Sequence, residues 1–234
     1  PNIAHVHDAG TTETGRPYFV MEHVKGLSIT EHCDRQKLTI EDRLNLFLQV
    51  CRAVHHAHQK GIIHRDIKPS NILVAEYDQK PVPKIIDFGV AKATQQELTD
   101  KTLFTRFEQF IGTPAYMSPE QAEMNPLGID ARSDIYSLGV TLTEMLTLSH
   151  AFEGTNRQAL LANVMHQPLR RPSQVDPSVP RDLETIVLKA VSKNPGERYA
   201  TAAEMAADLR RYLAGEPVLA RAPSRLGAIK IGPL

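Results

Sequence analysis

The sequence is poor in the features that mark several large classes of protein. Only two cysteines, Cys33 and Cys51, occur among 234 residues. They are too few for a disulfide framework and lack CxxC metal spacing, so a reducing, cytosolic setting is expected. Charge of one sign is not in excess: 27 Lys and Arg face 27 Asp and Glu. With no block of like charges, the chain lacks the electrostatic footprint of a nucleic-acid or anionic-membrane binder, and no nucleic-acid partner is expected. No apolar run approaches the roughly 18–20 uncharged residues that span a bilayer, and no basic-then-apolar leader opens the chain. Internal repeats and low-complexity tracts are also lacking. What is present, 41% apolar residues and 16 prolines, excludes wholesale disorder and a coiled coil, and suffices for one sizeable core with a small second lobe. The first residue is Pro rather than Met, so the sequence is expected to start inside a longer one.

Periodicity changes along the chain. Ile3 to Ala9 and Tyr18 to Val24 are β-rich runs separated by Gly10, Gly15 and Pro17, the pattern of a hairpin. Two strands alone are marginal, so this hairpin needs a sheet that the chain does not obviously supply. From Thr39 the period becomes helical: Ile40, Leu44, Phe47, Leu48, Cys51 and Val54 share a face, Thr39 and Asp42 form a capping box, and Gly61 stops the helix. Ile72-Leu73-Val74 and Lys84-Ile85-Ile86 are short apolar triplets within polar loops, and residues 91–131 are aperiodic over a length that points to function. Ser133 is expected to cap a second long helix with Ile135, Leu138, Gly139, Leu142, Met145 and Leu146 inward and almost no charge apart from Glu144. Further helices are expected near 155–166, 181–193 and 201–213, the last with Thr201 and Glu204 as a capping box. The Gly- and Pro-rich residues 214–234 read as a linker or disordered tail.

Residues 64–71 are His-Arg-Asp-Ile-Lys-Pro-Ser-Asn, and residues 87–89 are Asp-Phe-Gly. A chance match to both spaced motifs has a probability of roughly one in 10⁹ per starting position. The pair resembles the catalytic loop and metal-binding motif of eukaryotic-type (Hanks-type) serine/threonine protein kinases, in the style of the bacterial members. The chemistry supports the resemblance: moving a γ-phosphoryl group needs a carboxylate near the attacking hydroxyl, hard oxygen ligands for a divalent metal, and a cation on the transferring oxygens. The resemblance implies that Asp66 accepts the substrate hydroxyl proton, Asn71 and Asp87 hold Mg²⁺ or Mn²⁺, and Lys68 neutralises charge on the γ-phosphate of ATP. An isolated Asp in such a loop would read as a turn residue.

The resemblance extends over nearly the whole chain and implies an α+β, protein-kinase-like fold. Residues 1–24 are expected as partial N-lobe strands and hinge, and residues 25–213 as a mostly helical C-lobe. In Tyr18 to Val24, Met21 would be the gatekeeper, with the backbones of Glu22 and Val24 facing adenine and Leu73 beneath it. Gly112-Thr113-Pro114-Ala115-Tyr116-Met117-Ser118-Pro119-Glu120 resembles the substrate-docking end of the activation segment, with Ser-Pro-Glu where Ala-Pro-Glu is usual. Glu120 would pair with Arg198, and Asp134 would hold the catalytic-loop backbone. His55 and His58, at i and i+3 on a helix, lack the Cys or carboxylate that would complete a metal site and read as packed or hydrogen-bonded. Arg170-Arg171 and Arg210-Arg211 read as solvated surface.

The family also needs a Gly-rich loop, a strand lysine and its helix glutamate. No Gly-x-Gly occurs here, and Val90-Ala91-Lys92 follows Asp-Phe-Gly and is not the strand lysine. These parts are expected upstream of Pro1. The implied function is ATP-dependent phosphorylation of Ser or Thr on protein substrates, with the 234 residues alone weakly active or inactive. The alternative is a non-catalytic, kinase-like scaffold, which would be expected to lose Asp66, Asn71 or Asp87; none is lost. The resemblance further allows a kinase dimer through the missing N-lobe and a cytoplasmic location, free or as the cytoplasmic domain of a membrane-anchored protein. Finally, Arg65 beside Asp66 calls for an anion, and Thr99, Thr102 and Thr105 are the expected sites of autophosphorylation that would supply it.

Overall fold

The helical period beginning at Thr39 produces the long helix α2 (Ile40–Gln59), which follows strands β1 (Val6–Thr11), β2 (Pro17–Met21) and β3 (Leu27–Ser28) and helix α1 (Ile29–Arg35). These elements belong to a computed structural model that describes residues 1–14, 17–88, 114–123, 128–154 and 156–221. The Thr39 side chain accepts from Asp42 N–H while the Asp42 carboxylate accepts from Thr39 N–H, so the expected capping box forms. Gly61, at φ 73°, ends the helix in the left-handed region that glycine tolerates.

After α2 the chain makes β4 (Ile72–Tyr77) and β5 (Lys80–Ile85), which join β3 in an antiparallel sheet of order β3-β4-β5. Strands β1 and β2 form a separate antiparallel pair. Val6, Tyr18 and Val20 remain 43–46% exposed on that pair, in line with a hairpin that wants a larger sheet. Residues 2–4 tie it to the rest: Ala4 N–H donates to Ile85 O, Ile85 N–H donates to Asn2 O, and the Asn2 amide donates to Pro83 O at 2.8 Å.

The remaining helices are α3 (Pro119–Ala122), α4 (Ala131–Thr147), α5 (Arg157–His166), α6 (Pro172–Val175), α7 (Arg181–Ala190) and α8 (Ala202–Leu213). Helix α4 is the spine of the fold: every residue from Ser133 to Leu146 is buried. Gly139 lets α7 approach it, because a Cβ there would lie 2.7 Å from Val191 Cγ1 and 2.8 Å from Ala190 Cβ. At its C-terminus the Arg43 guanidinium donates to Met145 O and Leu146 O, answering carbonyls that have no helical partner.

Three local expectations are corrected. Asp130, not Ser133, caps α4, its side chain accepting from Arg132 N–H. Ser133 lies inside the helix because its hydroxyl donates to the buried Glu120 carboxylate at 2.7 Å. Thr201 caps α8, but Glu204 reaches back to Ala200 N–H rather than to the cap residue's own. Residues 214–220, expected as the start of a linker or disordered tail, are instead tied to α8. The buried Asp208 carboxylate accepts from Leu219 N–H at 2.7 Å, Ala220 N–H at 2.8 Å and Tyr199 O–H at 2.8 Å. Residues 222–234 of the tail, and most of the aperiodic stretch 91–131, lie outside the described residues.

The observed fold is thus α+β, mostly helical with two small sheets, as expected. Among the described residues no helix is long and apolar enough to cross a membrane.

Candidate active site

The loop between α2 and β4 carries His64 to Asn71, and its backbone has little freedom. Arg65 sits at φ 68°, a left-handed conformation that costs a residue with a Cβ roughly 1–2 kcal/mol. Such a conformation persists only when its surroundings over-determine it. The fully buried Asp134 of α4 does so: its carboxylate accepts from Arg65 N–H at 2.7 Å and His64 N–H at 2.8 Å. His58 Nε2 completes the set at 2.7 Å, so one histidine of the α2 pair serves the loop. Among the described residues no group of three metal-ligating side chains forms.

His64 then joins the loop to the end of β5. Asp66 N–H donates to His64 Nδ1 at 3.2 Å, which makes Nδ1 the acceptor and leaves Nε2 as the protonated nitrogen that donates to Ile86 O at 3.0 Å. Burial lowers the pKa of His64 against the pull of Asp134, which favours this neutral tautomer. The ring also packs against Phe88 with centroids 4.6 Å apart. Asp87, between them, is the second non-glycine residue of the site in the left-handed region, at φ 57°.

Three of the four expected catalytic side chains meet directly. Lys68 Nζ lies 2.8 Å from Asp66 Oδ2, and the Asn71 amide donates to Asp66 O at 2.8 Å and to Asp66 Oδ2 at 3.0 Å. Asp87 is joined to them through backbone, since Ile86 N–H donates to Asn71 O. With its N–H groups on Asp66, Asn71 keeps Oδ1 without a partner among the described residues. An amide oxygen and the Asp87 carboxylate are the hard donors a magnesium ion takes, so the residues fit the metal.

Two of the expected adenine contacts, Val24 and Leu73, belong to an apolar cluster separate from the main core. Ala4, Val24 and Ala75 form a small apolar cluster with Leu73 and Ile86 packed against it. Met21 ends β2. Among the described residues the Val24 backbone and the Glu22 carbonyl make no hydrogen bond, so these groups are available to a ligand. The Glu22 side chain turns to Lys84, which forms an ion pair with it, and to Tyr77 O–H and His5 N–H. The Lys84 hydrogen bond is the main cause of its lowered pKa.

The docking turn Pro114–Tyr116 is seated on α4. Ser137 O–H donates to Tyr116 O at 2.7 Å, and Tyr116 O–H donates to Glu144 at 2.8 Å. The expected Glu120 to Arg198 pair is bidentate, at 2.7 and 2.8 Å, with the guanidinium wholly buried. Arg198 places its other donors on Ser192 O, Arg132 O and Lys193 O. Burial alone would raise the Glu120 pKa, but the Arg198 bonds and charge outweigh it and hold the carboxyl below its usual range. Sequence reasoning missed the bridging of His64, whose signal was the His-Arg-Asp motif itself, and the bond from Gln121 Nε2 to Arg65 O at 2.8 Å, for which no local signal exists. Gly89, Lys92, the three threonines, Gly112 and Thr113 lie outside the described residues.

The chain is similar to known proteins over most of its length. Residues 1–209 match the protein kinase domain family. The chain is 40% identical over 222 residues to the serine/threonine-protein kinase PknB of Mycobacterium leprae, a match covering 93% of this chain and 34% of the relative. It is 37% identical over 238 residues to a probable serine/threonine-protein kinase of Streptomyces coelicolor, covering 99% of this chain and 34% of that one. It therefore spans about a third of the length of these curated relatives. The kinase domain of Mycobacterium tuberculosis PknI has the same fold, with a TM-score of 0.69 at 22% identity, covering 91% of this chain and 72% of that one. With the catalytic loop, the docking segment and its Glu120 to Arg198 tie all in place, the chain belongs to the protein kinase domain family.

Proposed function

We propose that this chain carries the catalytic-loop half of an enzyme that transfers the γ-phosphoryl group of ATP to Ser or Thr of a protein substrate. The observation that carries the reading is the Asp66, Lys68 and Asn71 cluster, held on a backbone that Asp134 fixes in an otherwise unfavourable conformation. Asp66 is placed to accept the proton of the attacking hydroxyl, with Asn71 orienting its carboxylate. Lys68, paired with Asp66, would neutralise charge on the γ-phosphate. Asn71 and Asp87 would hold Mg²⁺, which when bound neutralises phosphate charge. Glu22, Val24, Met21 and Leu73 would receive adenine. The cytoplasm, where ATP is, would be the site of action.

An intact reactive set disfavours the scaffold alternative, since a binding module has no need of Asp66, Asn71 and Asp87 together. The test is Asp66→Asn in the full-length protein. Phosphorylation should fall at least about 10²-fold while nucleotide affinity stays nearly constant, because Asp66 faces the hydroxyl and not ATP. Near-normal turnover would remove Asp66 from the role.

A further inference from the structure

We infer that Gln121 is a positioning residue for Asp66, acting through the carbonyl of Arg65; the inference rests on the kinase reading above. The peptide plane between Arg65 and Asp66 is rigid, so fixing its C=O and its N–H fixes the approach of the Asp66 side chain. Its N–H is held by His64 Nδ1 at 3.2 Å. Its C=O is held by Gln121 Nε2 at 2.8 Å, from helix α3 of the docking segment. The same plane follows the left-handed Arg65, whose own N–H is fixed by Asp134, so a loosened carbonyl would let a strained residue relax.

The orientation of the Gln121 amide is dictated by its neighbours. Oε1 accepts from Ser118 N–H and Ser118 O–H, both at 3.1 Å, and a flipped amide would set donor against donor there and acceptor against acceptor at Arg65 O. Capping α3 needs only the acceptor end, which a glutamate supplies equally well. The donor end serves no purpose in the helix: among the described residues its one partner is the catalytic loop, 56 positions earlier in the chain. Glu120, the preceding residue, is locked to Arg198, so Gln121 cannot follow the loop if the loop shifts. The seat of the substrate-docking segment is thereby coupled to the carboxylate that must meet the substrate.

Gln121→Glu separates the two functions, keeping the capping acceptor and removing the donor. In the full-length protein, with casein and Mg·ATP as substrates, it should leave the KM for ATP near that of the parent and lower kcat about 10- to 100-fold. Gln121→Met, close in shape and without either polar end, should lower kcat at least as far and also reduce Tm. If Gln121→Glu proves unstable, Gln121→Met decides, and turnover within about twofold of the parent by either variant overturns the inference. A parent as inert as Asp66→Asn in the same assay would instead overturn the kinase reading beneath it.

Discussion

Replacing Asp134 by Asn tests whether the catalytic loop is held in place by one buried carboxylate. The change keeps shape and removes one acceptor. The new NH₂ group faces a backbone donor in either orientation, His64 N–H at Oδ2 or Arg65 N–H at Oδ1; the latter keeps His64 N–H and His58 Nε2 on the remaining oxygen. The bond to Arg65 is then gone, at about 1.5–3 kcal/mol for a hydrogen bond to a charged group, and the other two fall to neutral strength at roughly 1 kcal/mol each. The expected loss is about 3–5 kcal/mol, less than the total stability of a typical domain, so Asp134→Asn should fold. Its Tm should fall on the order of 10 °C. Arg65, released from its left-handed conformation, would carry Asp66 away from the substrate, and kcat should drop about 10- to 100-fold with nucleotide affinity little changed. Thermal unfolding and steady-state kinetics on the full-length protein measure both. A variant with Tm within about 2 °C and kcat within about twofold of the parent would refute the claim that Asp134 sets the loop.

Asp87→Ala should abolish Mg²⁺-dependent ATP binding by calorimetry, since the metal loses its charged ligand; Mg·ATP affinity that survives would contradict the proposed metal site. Burial lowers the pKa of both His32 and His64 below the ordinary 6.5, against the opposing pull of Glu76 and Asp134 respectively. The unfolded chain therefore takes up protons first as pH falls, so stability is full above 6.5 and declines below it. Urea unfolding between about pH 7 and pH 5 should show this decline, above the range where carboxylates titrate, and a His32→Gln, His64→Phe double variant should flatten it. Arg65 Nε is buried without a partner among the described residues, which suits a phosphate anion. Mass spectrometry after incubation with Mg·ATP should find phosphate on one or more of Thr99, Thr102 and Thr105, and a triple Thr→Ala variant as active as the parent would end that reading.

Features written within one stretch of chain were legible before the fold was known. The Thr39 and Asp42 box, the Gly61 stop and the two reactive motifs all involve neighbours in sequence. The pairings of Glu120 with Arg198 and of Asp134 with the loop were legible only through family resemblance, since no local pattern links residues 78 or 70 positions apart. Nothing in the sequence marked Arg43 as the partner of α4's last carbonyls, or Gln121 as a donor to Arg65, because a single Arg or Gln carries no periodic signal. Ser133 misled for a related reason: a hydroxyl that reads as a helix cap was claimed by a buried carboxylate from another segment. The same competition explains residues 214–220, where Gly215 and Pro217 suggest freedom and the Asp208 carboxylate holds Leu219 and Ala220.

The polar bonds that converge on α4 also govern the order in which the molecule can assemble. Asp134 meets His64 across 70 positions, Arg43 meets Met145 across 102, and Arg198 meets Arg132 across 66. Each closes a long loop whose entropy must be surrendered before its hydrogen bonds are gained, whereas the turns of α2 and α4 need only neighbouring residues. Helical turns can therefore form before the long-range bonds that shape the loop bearing Asp66. A chain can be nearly complete in its helices while the Asp66 carboxylate is still undirected, so the shape of this short loop depends on contacts gathered from the whole length of the chain.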